Sequence, residues 1–78
     1  MTFRPVSKNK YIRWLKKKGL VHLRTTASHE LWDNPDYPYD RPITFRTMDK
    51  DIPPLHLKTN SETMGVTMKD LYKELERM

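Results

Sequence analysis

The sequence contains no cysteine, which excludes disulfides, thiolate zinc sites and cysteine nucleophiles together. It also lacks any apolar run approaching the roughly 18 residues of a membrane span. Met1 to Val6 has no apolar stretch of the kind a secretory signal carries. These absences lead to the expectation of a soluble, cytoplasmic protein that does not engage a membrane. Apolar residues are scarce as well, at 36% with a mean hydropathy of -0.89. Ordering a residue costs about 1.5 kcal/mol, against about 25 cal/mol for each Å² of apolar surface buried. A chain of 78 residues therefore has one thin core and makes one domain, residues 1–78. The last absence is local. No acid occurs in residues 1–24, which hold Arg4, Lys8, Lys10, Arg13, Lys16, Lys17, Lys18 and Arg24, and all 10 acids follow. A cationic end of this kind gathers polyanions and releases counterions from phosphates, which points to RNA, DNA or an acidic protein. The plainer reading of the same run is a solvated helix face.

Ser7, then Lys8 to Lys18, then Gly19 predicts a helix with Ser7 at its N-cap and glycine just past its end. Tyr11, Ile12, Trp14 and Leu15 fall on one face as core, and Lys10, Arg13 and Lys17 form a stripe on another. Leu20 to Thr25 and Ser28 to Trp32 predict a hairpin. Residues 33–42 are rich in proline and aspartate, a composition that favours turns. Ile43 to Met48 alternates as a strand. Ile52 to Leu57 competes with it for the third strand, although Pro53 and Pro54 confine the later segment to an edge or bulge. Lys58 to Gly65 reads as loop. Thr67 caps a last helix running through about Arg77, with Met68, Leu71, Leu75 and Met78 on its buried face. The expected architecture is α+β: an α-β-β-β-α sandwich, its antiparallel sheet covered on one face by two helices, with room for an extra short strand.

Candidate proton-transfer groups are His22, His29 and His56, because an unperturbed imidazole titrates near pH 6.5. Their spacing holds no short histidine pair, so no metal site is expected. Asp33, Asp36 and Asp40 lack the glycine and closing glutamate of a calcium loop and read as turn formers. His29 follows Ala27 and Ser28 at a hairpin turn, where a side chain stays reachable while the sheet holds its backbone. Its parity with Leu31 argues for the buried face, while its position at the strand's edge permits access. Taken alone, a strand histidine is most often structural or a surface residue.

The basic helix, then GLVHLRTTASHELW, a later IPPLHLK and a final GVTMKDLYKEL resemble, over roughly residues 8–76, the HicA toxin family of small bacterial mRNA interferases. That family ends its first helix in glycine, opens strand two with Gly-Ser-His and starts its last helix with a Thr-Leu-like pair. The corresponding residues are Gly19, Ala27-Ser28-His29 and Thr67-Met68. Ala27 stands where glycine is usual, which matters if the turn needs a positive φ. Pro54-Leu55-His56 resembles the family's Pro-x-His and favours Ile52 to Leu57 as the matching third strand.

The resemblance implies a double-stranded-RNA-binding-domain-like fold and the toxin of a type II toxin-antitoxin system. It further implies metal-independent mRNA cleavage without a cofactor, His29 as the catalytic residue, and neutralisation by a HicB-type antitoxin. On this reading neutral His29 takes the proton of a ribose 2′-hydroxyl. Arg24 and Lys58 are the candidates to stabilise the phosphorane, and Lys10, Arg13, Lys16, Lys17 and Lys18 hold the RNA backbone. His56 is a second catalytic or a structural residue. Two other classes remain open: a non-catalytic module that grips structured RNA, and a protein-interaction subunit whose positive end docks an acidic partner.

Overall fold

A computed structural model describes residues 3–78; Met1 and Thr2, the first residues of the Met1 to Val6 stretch, lie outside them. The elements in order are β1 (Val6–Ser7), α1 (Lys8–Lys17), β2 (Val21–Thr26), β3 (His29–Asp33), β4 (Ile43–Arg46), β5 (Asp51–Ile52), α2 (Pro54–Met64) and α3 (Met68–Glu76). The strands β2-β3-β4 form an antiparallel sheet in that order, and β1 pairs with β5 as a separate two-stranded ladder. The chain is α+β as expected, with one helix more than the sequence suggested.

α1 buries Tyr11, Trp14 and Leu15 against the sheet, where Tyr11 meets Phe45 edge to face. Trp32, Ile43 and Phe45 point from the sheet toward the same core, joined by Leu57, Leu71 and Leu75 from the other two helices. Ile12, expected in the core, is only partly buried. Ser7 makes no capping hydrogen bond. Instead the chain enters α1 directly from β1, and the Lys8 amide donates to the Lys50 carbonyl at 2.8 Å. The exit agrees with expectation: Gly19 has φ +91°, and a β-carbon there would press on the Asn34 side chain at 3.2 Å. Thr67 caps α3 by accepting a hydrogen bond from the Asp70 amide at 3.1 Å.

The segment after β4 corrects the reading of the sequence. Ile52 to Leu57 is not the third strand, and Lys58 to Gly65 is not a loop. Ile52 closes the short β5, and a helix runs from Pro54 to Met64. Pro54 sits in the first turn, where a missing N–H costs nothing and the fixed φ suits a helix. Gly65 terminates the helix at φ +73°. The third strand is therefore Ile43 to Arg46, and Pro54-Leu55-His56 belongs to a helix.

The β2–β3 turn is Ala27-Ser28, between the paired Thr26 and His29. Ala27 adopts φ +48° and is the single non-glycine residue with positive φ among the described residues. An L-residue there carries roughly 1–2 kcal/mol of steric cost, partly balanced by the greater unfolded-state freedom of glycine. Ala27→Gly is expected to raise stability by about 0.5–1 kcal/mol, read as a higher urea midpoint at unchanged slope.

Candidate functional site

Strand register decides which side chains share a face, because directly opposed residues in an antiparallel pair point the same way. Glu30 and Trp32 of β3, paired to Phe45 and Ile43 of β4, face the core. His29 and Leu31, paired to Arg46 and Thr44, face outward. The parity that His29 shares with Leu31 thus marks the open face of the sheet. His29 and Arg46 are both exposed, and Leu31 is half-buried.

A β-bulge extends this face across β2. His22 pairs with Trp32 and Arg24 with Leu31, so Leu23 is the extra residue. An extra residue reverses the alternation downstream of it. Unbroken period-2 alternation would put Arg24 on the same face as His22, whereas the bulge turns Arg24 to the outer face beside Leu31. His22 stays inward, with its ring against Trp32 at 5.5 Å between centroids and Nε2 in a 3.1 Å hydrogen bond with Thr25 Oγ1. His29 therefore stands at one end of the open face. Arg46 is directly across from it on β4, and Arg24 is diagonal to it on β2. Directly opposed β-carbons lie about 5 Å apart and diagonal ones about 7–8 Å, within reach of an arginine side chain.

The turn is anchored at this end. The Thr47 amide donates to the Ser28 carbonyl at 2.7 Å. On the core side Lys8 Nζ donates to Glu30 Oε2 at 3.2 Å and to the Thr47 carbonyl at 2.7 Å. The backbone carrying His29 is thus tied to β4 and to the start of α1.

α2 closes the free edge of β4. The Asn60 amide nitrogen donates to the Thr44 carbonyl at 2.9 Å, and Asn60 Oδ1 accepts from the Thr44 amide at 3.4 Å. Further along, Arg41 Nε donates to Thr63 Oγ1 at 3.1 Å, so α2 runs antiparallel to β4. His56 lies one turn before Asn60 on the same helix face, which puts it level with Arg46. It is half-buried, and its Nδ1 is enclosed with no hydrogen-bond partner. Lys58 is turned roughly 160° around the helix from Asn60 and is exposed. It is therefore not placed beside His29, and Arg46 takes the position that the sequence reading gave to Lys58. Arg46 could have been found: it alternates with the buried Phe45 and faces the same way as Thr44.

The cationic helix is separate from this site. α1 packs on the inner side of the sheet, and its exposed bases Arg13, Lys16 and Lys17 are divided from His29 by the sheet itself. Lys10 lies in a cleft with Arg4, Tyr72 and Glu76. Lys16 lines an open cleft of about 410 Å³ with Val21, His22 and Trp32 at the start of β2. Lys18 pairs with Glu74 at 2.6 Å and lies 5.8 Å from the centre of the Trp14 ring. That hydrogen bond from Lys18 holds the Glu74 carboxyl below its usual pKa.

In the 33–42 segment Asp33 and Asn34 form the turns, Asn34 Oδ1 accepting from the Asp36 and Tyr37 amides at 2.9 and 3.2 Å. Asp33 Oδ1 accepts from the Asn34 and Tyr39 amides at 2.8 and 3.0 Å. Among the described residues no three His, Cys, Asp or Glu side chains gather as metal ligands, and no helix is long and apolar enough to cross a membrane.

No family model, curated protein or solved structure matches this chain. One imidazole open to solvent, with two guanidinium groups on the same face, can accept a proton beside a bound phosphodiester.

Proposed function

We propose that this chain is a HicA-like endoribonuclease, the toxin partner of a HicB-type antitoxin, with mRNA bound on the open face of its sheet. The observation that carries the reading is the placement of His29: solvent-exposed at the rim of the hairpin, opposite Arg46 and diagonal to Arg24. In the proposed reaction His29 removes the 2′-hydroxyl proton of a ribose, and the 2′-oxygen attacks the adjacent phosphorus. The bond from phosphorus to the 5′-oxygen breaks, and that oxygen leaves with a proton. One fragment ends in a 2′,3′-cyclic phosphate and the other in a 5′-hydroxyl. Arg46 and Arg24 would counter the charge that builds on the phosphorane, the task for which positioned cations are most effective. His56, half-buried and level with Arg46, is the candidate to supply the departing proton through Nε2, because its Nδ1 is enclosed.

The separate cationic surface of α1 favours a second reading, in which the chain grips RNA without cutting it. Purified protein incubated with end-labelled RNA in EDTA distinguishes the two. Fragments with cyclic phosphate ends are the expected result. RNA that is retarded on a gel but intact would leave only the binding module, and RNA that neither shifts nor breaks would leave the protein-interaction subunit.

A further inference from the structure

The two edges of the three-stranded sheet are treated differently. The β4 edge is sealed by Asn60 and α2. The β2 edge is open, with every residue from Val21 to Thr26 exposed. Among the described residues, no hydrogen bond from outside the hairpin reaches the backbone of this strand. An open edge is a template for another strand, and proteins usually guard it with lysine, proline, a β-bulge or an inward-pointing charge; β2 has the bulge at Leu23 but neither lysine nor proline. Here it carries Val21 and Leu23, which are 45% and 51% exposed. The alternating N–H and C=O groups of an edge, beside apolar side chains, suit an extended peptide and not a phosphate backbone.

We infer that β2 is a docking edge for an acidic, extended segment of another protein, which adds to the sheet as a fourth strand next to Val21 and Leu23. Charge selects the partner. No acid occurs before Glu30. Arg24 lies in the strand, and Lys16 borders the cleft at its start. Two acids lie across the hairpin: Glu30, paired with Thr25, is held on the core side by Lys8, and Asp33, paired with Val21, already accepts backbone N–H groups on one carboxylate oxygen. A second copy of the chain would instead bring two cationic edges together, each chain carrying a net charge of +5. A strand seated here runs alongside Arg24, on the face that carries His29. Inhibition of cleavage by the seated strand rests on the nuclease reading; the docking itself does not.

The probe is a blocked eight-residue peptide of alternating glutamate and valine, titrated into the full chain and followed by amide NMR and hydrogen exchange, with no RNA present. Saturable binding is expected, with protection gained by amides within Val21–Thr26 and affinity falling as salt is raised. A matched lysine-valine peptide should not bind. Nor should a glutamate-valine peptide N-methylated at alternate amides, because it cannot complete the ladder. Leu23→Asp, at an exposed site, should weaken binding about tenfold or more, equivalent to about 1.4 kcal/mol, while Lys17→Ala on α1 should change it little. Absence of binding at about 1 mM peptide, an affinity near 4 kcal/mol, would overturn the inference. So would perturbations confined to α1, or self-association of the chain through β2 in the absence of peptide. Because no cleavage is read, the result is independent of the fate of the nuclease assignment.

Discussion

His29→Ala is expected to slow RNA cleavage by about 10²–10⁴-fold, the range that a positioned general base contributes. Folding and RNA affinity should stay nearly unchanged. The side chain is exposed, and its truncation opens no cavity. The hydrogen bonds that fix the turn, from Thr47 to Ser28 and from Lys8 to Glu30 and Thr47, use other groups. Single-turnover cleavage of a labelled RNA, with circular dichroism to check the fold, measures both quantities. Full activity in the purified variant would reject the role assigned to His29. Arg46→Ala should cost about 10²-fold or more if its guanidinium meets the phosphorane as a charge-stabilising donor. Lys17→Ala, on the far side of the sheet, should leave the cleavage step and the salt dependence of RNA binding nearly unchanged; a slope lower by about one unit would instead put an RNA phosphate on α1. Equal losses from Arg46→Ala and Lys17→Ala would mean that the arginine contributes nothing beyond bulk charge.

The elements with strong local signals were legible in the sequence. α1 follows from the spacing of Tyr11, Trp14 and Leu15 and from the stop at Gly19; α3 follows from Thr67 and the Leu71–Leu75 pair. The hairpin follows from its alternation, and the rim position of His29 comes with it. What escaped was information held in tertiary contacts. α2 contains Thr59, Asn60, Ser61 and Thr63, all weak helix formers, after a proline pair that marks either a broken strand or a helix start. Burial of Leu57 and the edge contacts of Asn60 decide the matter. The bulge at Leu23 could not be read from period-2 alternation, yet it alone turns Arg24 toward the open face. The distance between the basic helix and His29 was illegible for a related reason: the pattern says that α1 packs on a sheet, not on which side.

Asn60→Ala is expected to destabilise the fold by about 2–4 kcal/mol. Asn60 is only 4% exposed, and its side chain alone satisfies the outward N–H and C=O of Thr44. Removing it strands two backbone groups in a partly buried position, at about 1–3 kcal/mol for each group left unpaired. Water entering the vacated space would recover part of that loss. The neighbouring Tyr11 hydroxyl already lies buried without a hydrogen bond of good geometry, and burial raises its pKa above the ordinary tyrosine value. That side of the core therefore has little polar compensation to spare. A domain of this length is stable by about 4–12 kcal/mol in total, so the substitution removes a large share and should lower Tm by roughly 10–20 °C. Asn60→Asp tests the donor separately. It keeps an acceptor for the Thr44 amide but sets a carboxylate against the Thr44 carbonyl, and it should cost at least as much at neutral pH. A loss below about 1 kcal/mol for Asn60→Ala, by urea denaturation, would mean that α2 seals the β4 edge through Leu57 and the core alone. The Arg46 backbone, and with it the side of the candidate site that Arg46 forms, would then depend on apolar packing and not on the amide clasp.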